Sequence, residues 1–413
     1  MSCEVNMSCR LCGRPLGIVF ADLGLSPLAN SYKKASSLKK AEKFYPLTVY
    51  VCSDCFLVQL PQQETPQEIF SEYAYFSSVS SSWLEHCSLY VDTIVGRLNL
   101  SGLSKVIELA SNDGYLLKSF VKKGIPVLGV EPARNVARAA IDKGVPTLVE
   151  FFSAETALRM AERGDTADLL IGNNVLAHVP DIGDFVKGMR TVLRPNGVIT
   201  MEFPHLSNLI KYNQFDTIYH EHFSYLSLTV TQKVFRMHNL KIFDVAKLPT
   251  HGGSLRIYAA HEGNELIRTE ETVDALLAEE IDFGTQDISM YLAYAKKIEQ
   301  TKRNILAFLI EAKNKGRKIA AYGAPAKGNT LLNYCGVGVD FISFTVDKNP
   351  YKQGCFLPGI SIEIRHPNAL CEYRPDYLII LPWNLRDEIM NQCSFIRDWG
   401  GRFVTLIPEV EIL

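Results

Sequence analysis

Seven residues, Tyr219-His220-Glu221-His222-Phe223-Ser224-Tyr225, bring two imidazoles, a carboxylate and two phenols into one short run. All of these groups hold or move protons, and imidazole does so near neutral pH. The run follows Val198-Ile199-Thr200-Met201-Glu202-Phe203, an apolar stretch that reads as a strand. Side chains just beyond a strand end are placed to line a cleft. His222 is the candidate base, and Glu221 either orients the resulting imidazolium or binds a substrate hydroxyl. Tyr219 is placed to donate to a developing oxyanion. If the segment is extended, alternate residues share a face and His220 turns away from His222. The plain alternative is a polar loop with solvated histidines.

A second chemical cluster lies near the N-terminus. Cys9-Arg10-Leu11-Cys12 and Cys52-Ser53-Asp54-Cys55 form a CxxC…CxxC pattern, each pair able to place two thiolates on one side of a tight knuckle. Four soft thiolates match tetrahedral zinc and leave no open position, so Cys9, Cys12, Cys52 and Cys55 are expected to hold a structural ion. The other six of the ten cysteines are scattered, which favours a metal site with free thiols over a disulfide framework.

These groups need elements to position them. A chain of 413 residues exceeds what one hydrophobic core usually supports, so two or three domains are expected. A net charge of -2 gives no basic footprint for nucleic acid. No apolar run reaches membrane-spanning length, and Met1-Ser2-Cys3-Glu4-Val5-Asn6 lacks the pattern of a signal peptide, so a cytoplasmic protein with no membrane partner is expected.

A βαβ pattern begins at Lys105. Strands are expected at Val106-Ala110, Val127-Glu131, Thr147-Glu150 and Asp168-Asn174, with helices between them. Alternation of this kind implies a parallel doubly wound sheet, whose ligands sit at the carboxyl ends of the strands. Three features there suit a nucleoside without phosphates. Gly114 lets a ligand approach the first turn, Glu131 is placed to accept from ribose hydroxyls, and Asn173 and Asn174 end the fourth strand. Leu255-Ala260 reads as a further strand, and residues 268–315 as a helical connector with a solvated face and apolar positions such as Leu292, Ile298, Ile305 and Phe308. A second βαβ pattern starts at Lys318-Ile319-Ala320-Ala321-Tyr322-Gly323, with strands expected at Phe341-Asp347 and Tyr377-Trp383. Its turn carries Lys327 and Asn329 at a helix start, which suits an anionic ligand. Trp383 either stacks a nucleobase or packs the core.

Glu108-x-x-Ser111-Asn112-Asp113-Gly114 resembles the glycine-rich first motif of class I methyltransferases that use S-adenosylmethionine, with serine and asparagine in place of two small residues. Six blocks in order resemble the sugar C-methyltransferases. They are the CxxC…CxxC head, Tyr73-Ala74-Tyr75-Phe76-Ser77-Ser78, Ser111-Asn112-Asp113-Gly114, Tyr219 to Tyr225, His251-Gly252-Gly253-Ser254-Leu255-Arg256 and Tyr322-Gly323-Ala324-Pro325-Ala326-Lys327-Gly328-Asn329-Thr330. The resemblance implies an α/β chain with four parts: a zinc-binding region at 1–68, a methyltransferase domain at 69–267, a helical connector at 268–316 and a second Rossmann-like domain at 317–413. It implies S-adenosylmethionine held by Glu108, Ser111, Asn112, Gly114, Glu131, Asn173 and Asn174, and a zinc ion on the four cysteines. It implies active-site roles for Tyr73, His178, Tyr219, Glu221 and His222, with His222 as the base. The expected substrate is a dTDP- or GDP-linked 4-keto-deoxyhexose methylated beside the ketone, at carbon 3 ahead of carbon 5, which adjoins it equally. Lys327, Asn329, Trp383 and Arg256 are its expected contacts, and a monomer is expected. An O- or N-methyltransferase, or an inactive zinc-ribbon scaffold, are the competing expectations.

Overall fold

The structure, a computed structural model, describes residues 7–70, Ser78 and residues 81–413. Tyr73 lies outside the described residues. Three sheets organise the chain. The central one has seven strands in the order Leu240–Leu248, Ser254–His261, Leu193–Pro204, Ala167–Asn173, Val106–Leu109, Val127–Val130 and Thr147–Leu148. Its inner strands pair in parallel and are buried along their length, as their unbroken apolar runs require. The expectation of a wholly parallel sheet is corrected at one edge. Ser254–His261 runs antiparallel to both of its neighbours, because only the short turn around Thr250–Gly252 separates it from Leu240–Leu248, too short for a parallel crossover. Strand order reverses between Val106–Leu109 and Ala167–Asn173, so the cofactor cleft belongs at their carboxyl ends.

The N-terminal sheet orders Ile18–Ser26, Tyr45–Val51, Val58–Gln59 and Ser224–Tyr225. Its fourth strand is thus the end of the proton-active run. The third sheet is parallel through Ile364–Arg365, Thr345–Val346, Ile319–Tyr322, Tyr377–Ile380 and Arg402–Thr405, and Glu411–Ile412 adds an antiparallel edge. The strand expected at 341–347 is only Thr345–Val346, and the one expected at 377–383 stops at Ile380, so Trp383 begins a short 3-10 helix instead. A two-stranded ribbon, Cys355–Phe356 with Lys33–Lys34, ties this unit to the N-terminal one.

Helices Glu271–Phe283 and Ile288–Asn314 occupy the expected connector. The Asp287 side chain caps the longer helix by accepting from the Ser289 amide. Its buried stripe is Tyr291, Tyr294, Ile298, Thr301, Ile305, Leu309 and Ala312, whereas Leu292, expected on that stripe, is exposed. Tyr291 and Tyr294 pack on Phe20, and the stripe joins one core with strands of the N-terminal and third sheets. The helix is therefore a shared inner wall rather than a solvated link. No helix among the described residues is long and apolar enough to cross a membrane.

Candidate active site

The proton-active run lies between the N-terminal sheet and the central unit. Phe223 N donates to the Ala177 carbonyl at 2.7 Å, which seats the proton-active loop beside the short helix Leu176–His178 that follows strand Ala167–Asn173. His222 N donates to the Tyr219 carbonyl at 2.9 Å, closing a tight turn. The rings then converge: His222 lies 4.0 Å from Tyr219 and 4.6 Å from His178, centroid to centroid, the latter edge-on.

His222 Nδ1 sits 2.8 Å from the Thr217 carbonyl. A carbonyl only accepts, so Nδ1 carries the proton and Nε2 presents its lone pair. Burial pushes the His222 imidazolium well below its ordinary range, and the His178 ring adds to this. Burial likewise pulls His178 down to about 4, against a main-chain hydrogen bond to Glu221. Both rings are neutral at physiological pH, as a base must be before it acts.

Glu221 Oε1 accepts from Asn30 Nδ2 at 2.7 Å, and Asn30 Oδ1 accepts from the Tyr32 hydroxyl at 3.2 Å. The Thr217 carbonyl orients the His222 ring. His220 turns away through the tight turn of 219–222 rather than through the extended backbone that the alternation argument needs, its Nε2 donating to the Pro46 carbonyl at 3.2 Å and its ring against Tyr45.

At the strand ends of the central sheet, Glu131 accepts main-chain amides from Asn112 at 2.9 Å and Ala133 at 2.8 Å. Burial nevertheless raises its carboxyl. Glu108 is fully buried and pushed well above the carboxylate range, first by desolvation. Asn173 is 8% exposed, and among the described residues neither its amide oxygen nor its nitrogen has a partner. Asn174, at a positive φ of 54°, donates to His251 Nε2 at 3.2 Å. A rim of buried acids and an orphaned amide suits the ribose and amino-acid ends of S-adenosylmethionine. Gly114, at φ 73°, has no room for a side chain, since a Cβ would meet Val145 and Ala140. The Ser111 hydroxyl is packed against Gly129, where a Cβ would lie 2.4 Å from it.

Arg256 joins a buried network. Its Nη2 donates to Glu202 Oε2 at 2.6 Å, and its guanidinium lies 4.2 Å from the Tyr90 ring. His86 Nε2 and the Thr250 hydroxyl reach the same carboxylate at 3.0 and 2.8 Å. The Arg256 Nε has no partner among the described residues. Trp83 stacks on His86 and lies tilted against His251.

From the third unit, Trp383 Nε1 donates to Asp216 Oδ2 at 2.8 Å, and Lys327 Nζ sits 4.0 Å from the Trp383 ring while bonding Asn384. Burial lowers Lys327 to about 8 and raises Asp216 to about 6. Trp383 also packs on Gly252, so one face and one edge of the indole are taken. Asn329 is 1% exposed, and among the described residues its amide has no partner. Lys327 and Trp383 are brought together beside Asp216, and no hydrogen bond among the described residues joins Asn329 to them.

The four expected metal ligands do converge. Their Sγ atoms lie within 4.8 Å of one another, with the Cys9–Cys55 and Cys12–Cys52 pairs at 3.5 Å. A tetrahedral Zn–S distance of about 2.3 Å asks for sulfur spacings of this size. The Cys55 thiol holds Cys9 below the usual thiol range, and Gln59 Nε2 donates to Cys9 Sγ at 3.1 Å. Both favour a thiolate ligand.

Sequence comparison decides the family. Family models match in succession: a zinc binding domain at residues 9–70, a methyltransferase domain at 81–245 and a C-methyltransferase C-terminal domain at 249–408. The C-methyltransferase NovU of Streptomyces niveus is 37% identical over 406 residues, spanning 98% of this chain and 96% of that protein. The chain belongs to the C-methyltransferase family. This C-methyltransferase uses S-adenosylmethionine and carries a four-cysteine zinc-binding domain. Its central part alone is similar to the ubiquinone biosynthesis O-methyltransferase of Pasteurella multocida, 32% identical over 107 residues, 23% of this chain and 44% of that one. A solved S-adenosylmethionine-dependent methyltransferase from Clostridium acetobutylicum aligns with 44% of the C-methyltransferase and 92% of its own chain, at 11% identity and a TM-score of 0.36.

Proposed function

We propose that the chain methylates carbon 3 of a dTDP- or GDP-linked 4-keto-deoxyhexose in deoxysugar biosynthesis, as a cytoplasmic monomer. Bound S-adenosylmethionine supplies a methyl group made electrophilic by its sulfonium. Carbon is a nucleophile only after losing a proton, and a neighbouring ketone makes that loss feasible by taking the electron pair on oxygen. His222 Nε2 takes the proton, Nδ1–H staying on the Thr217 carbonyl. The imidazolium and the enolate then form an ion pair in a dry cleft, which offsets the burial that disfavours a charged His222. Tyr219 donates to the enolate oxygen, Glu221 accepts a sugar hydroxyl, and His178 packs against the base on the cofactor side. Glu131 takes the ribose, with Glu108, Asn112, Asn173 and Asn174 around the rest of the cofactor. Lys327 faces the diphosphate, with Asn329 and Trp383 on the nucleotide side.

The observation that carries this reading is a half-buried His222 anchored by a carbonyl through Nδ1, its Nε2 without a hydrogen-bond partner among the described residues, between His178 and Tyr219. The test is incubation with methyl-labelled cofactor and a nucleotide-linked 4-keto-deoxyhexose, followed by NMR of the product. A methyl on carbon 3 supports the reading, and a methyl on oxygen or nitrogen overturns it.

A further inference from the structure

The zinc-binding segment grips the catalytic loop residue by residue. Pro46 accepts from His220 at 3.2 Å, and Asn30 donates to Glu221 at 2.7 Å. The Phe223 carbonyl accepts Arg10 Nη1 at 2.9 Å and Leu60 N at 3.0 Å, while Arg10 Nη2 donates to the Leu60 carbonyl. Ser224 and Tyr225 then pair with Gln59 and Val58 as the last strand of the N-terminal sheet. Within this run His222 faces the central unit, its ring held by the Thr217 carbonyl and set against Tyr219 and His178.

Arg10 stands between two metal ligands. Its amide donates to Gln59 Oε1 at 3.0 Å, and Gln59 Nε2 donates to Cys9 Sγ at 3.1 Å. Cys9, Gln59, Arg10 and the Phe223 carbonyl form one connected chain, so a metal that fixes the knuckle also fixes the loop on either side of the base. We propose that the zinc-binding segment is the outer jaw of the catalytic loop, and that Arg10, seconded by Asn30, is a positioning residue for His222. This rests on His222 being the base. Charged donors on carbonyls are stronger than neutral ones, and a base displaced by an ångström loses orders of magnitude in rate. A jaw of this kind acts on turnover without touching either substrate.

The test uses the full zinc-loaded chain, with Arg10→Gln, Arg10→Lys and Asn30→Ala. Zinc content, S-adenosylmethionine affinity, amide hydrogen exchange at His222 and Phe223, and kcat and KM for the ketosugar are measured on each. In Arg10→Gln, zinc and cofactor binding are retained, and the His222 and Phe223 amides exchange roughly tenfold faster. In the same variant kcat falls roughly a hundredfold while KM stays within about twofold. Arg10→Lys, which keeps a charged donor, recovers part of both. Unchanged exchange and kcat in a zinc-loaded Arg10→Gln overturns the proposal. If Arg10→Gln loses zinc, Asn30→Ala decides, since Asn30 does not touch the knuckle: faster loop exchange with lower kcat supports the jaw, and parental behaviour overturns it. Loop loosening in a chain whose parent never turns over the ketosugar counts against the substrate reading and not against the jaw.

Discussion

Replacing Arg256 by methionine separates a structural clamp from a substrate contact. The side chain of Glu202 is 0% exposed and that of Arg256 8%, and their 2.6 Å ion pair is completed by His86 and Thr250. Removing the cation strands a carboxylate in the core. Breaking a buried pair from one side costs about 3–5 kcal/mol, since the remaining charge keeps its desolvation penalty. At roughly 2.1 cal/mol/K of unfolding entropy per residue, the whole chain melting together lowers the Tm by about 3–6 °C. Burial pushes the Glu202 carboxyl up, but the His86 hydrogen bond and the Arg256 charge outweigh it and leave the group below its ordinary value. A depressed carboxyl stabilises the fold above the unfolded pKa and loses that contribution as pH falls through the folded one. The gap between parent and Arg256→Met therefore narrows in acid. The double variant Glu202→Gln/Arg256→Met recovers most of the loss, because no lone charge remains. Thermal melts of the three proteins, with KM for the ketosugar on each, form the assay. An Arg256→Met protein that melts like its parent while KM rises would refute the clamp and return Arg256 to the substrate.

The pKa shifts and close contacts give three further expectations. His178 is held near 4, so between pH 6.5 and 4 the unfolded chain binds more protons and stability falls with pH. At pH 5 the loss from this ring, partly open to the cleft, is about 1–2 kcal/mol, read as a lower urea midpoint than at pH 7 and flattened in His178→Gln. Lys327 is lowered to about 8, so calorimetric affinity for a nucleoside diphosphate weakens as pH rises through 8 in the parent and is flat in Lys327→Met. Gly252→Ala forces a Cβ to 2.5 Å from the Trp383 ring at φ 86°, at a cost of about 1–3 kcal/mol, seen in thermal melts and in altered indole fluorescence.

The parts of this site that carry their chemistry in a side chain are visible in the sequence. Paired cysteines announce a thiolate cluster, because local spacing alone fixes it. The partners that decide roles are invisible for a physical reason. His222 is oriented by the Thr217 carbonyl, and a main-chain acceptor has no residue signature. Asn30 lies 191 positions from Glu221, and Arg10 is 213 from Phe223, so only the tertiary fold brings them together. The partner of Arg256 is not legible because a buried arginine and a substrate-facing one look alike without Glu202 beside them, although the pairing of Glu202 with Arg256 on neighbouring strands is a faint signal. The packing of Gly114 on Val145 is not legible because a glycine required by packing reads the same as one required by a ligand.

The central claim is that His222 Nε2 removes the proton beside the ketone. Its most direct measurement is deuterium uptake from D2O into the nucleotide-linked 4-ketosugar, with S-adenosylhomocysteine in the cofactor cleft so that no methyl leaves. The parent chain is expected to place deuterium on carbon 3, and His222→Asn to bind both ligands yet incorporate none. Undiminished uptake in His222→Asn would contradict the account.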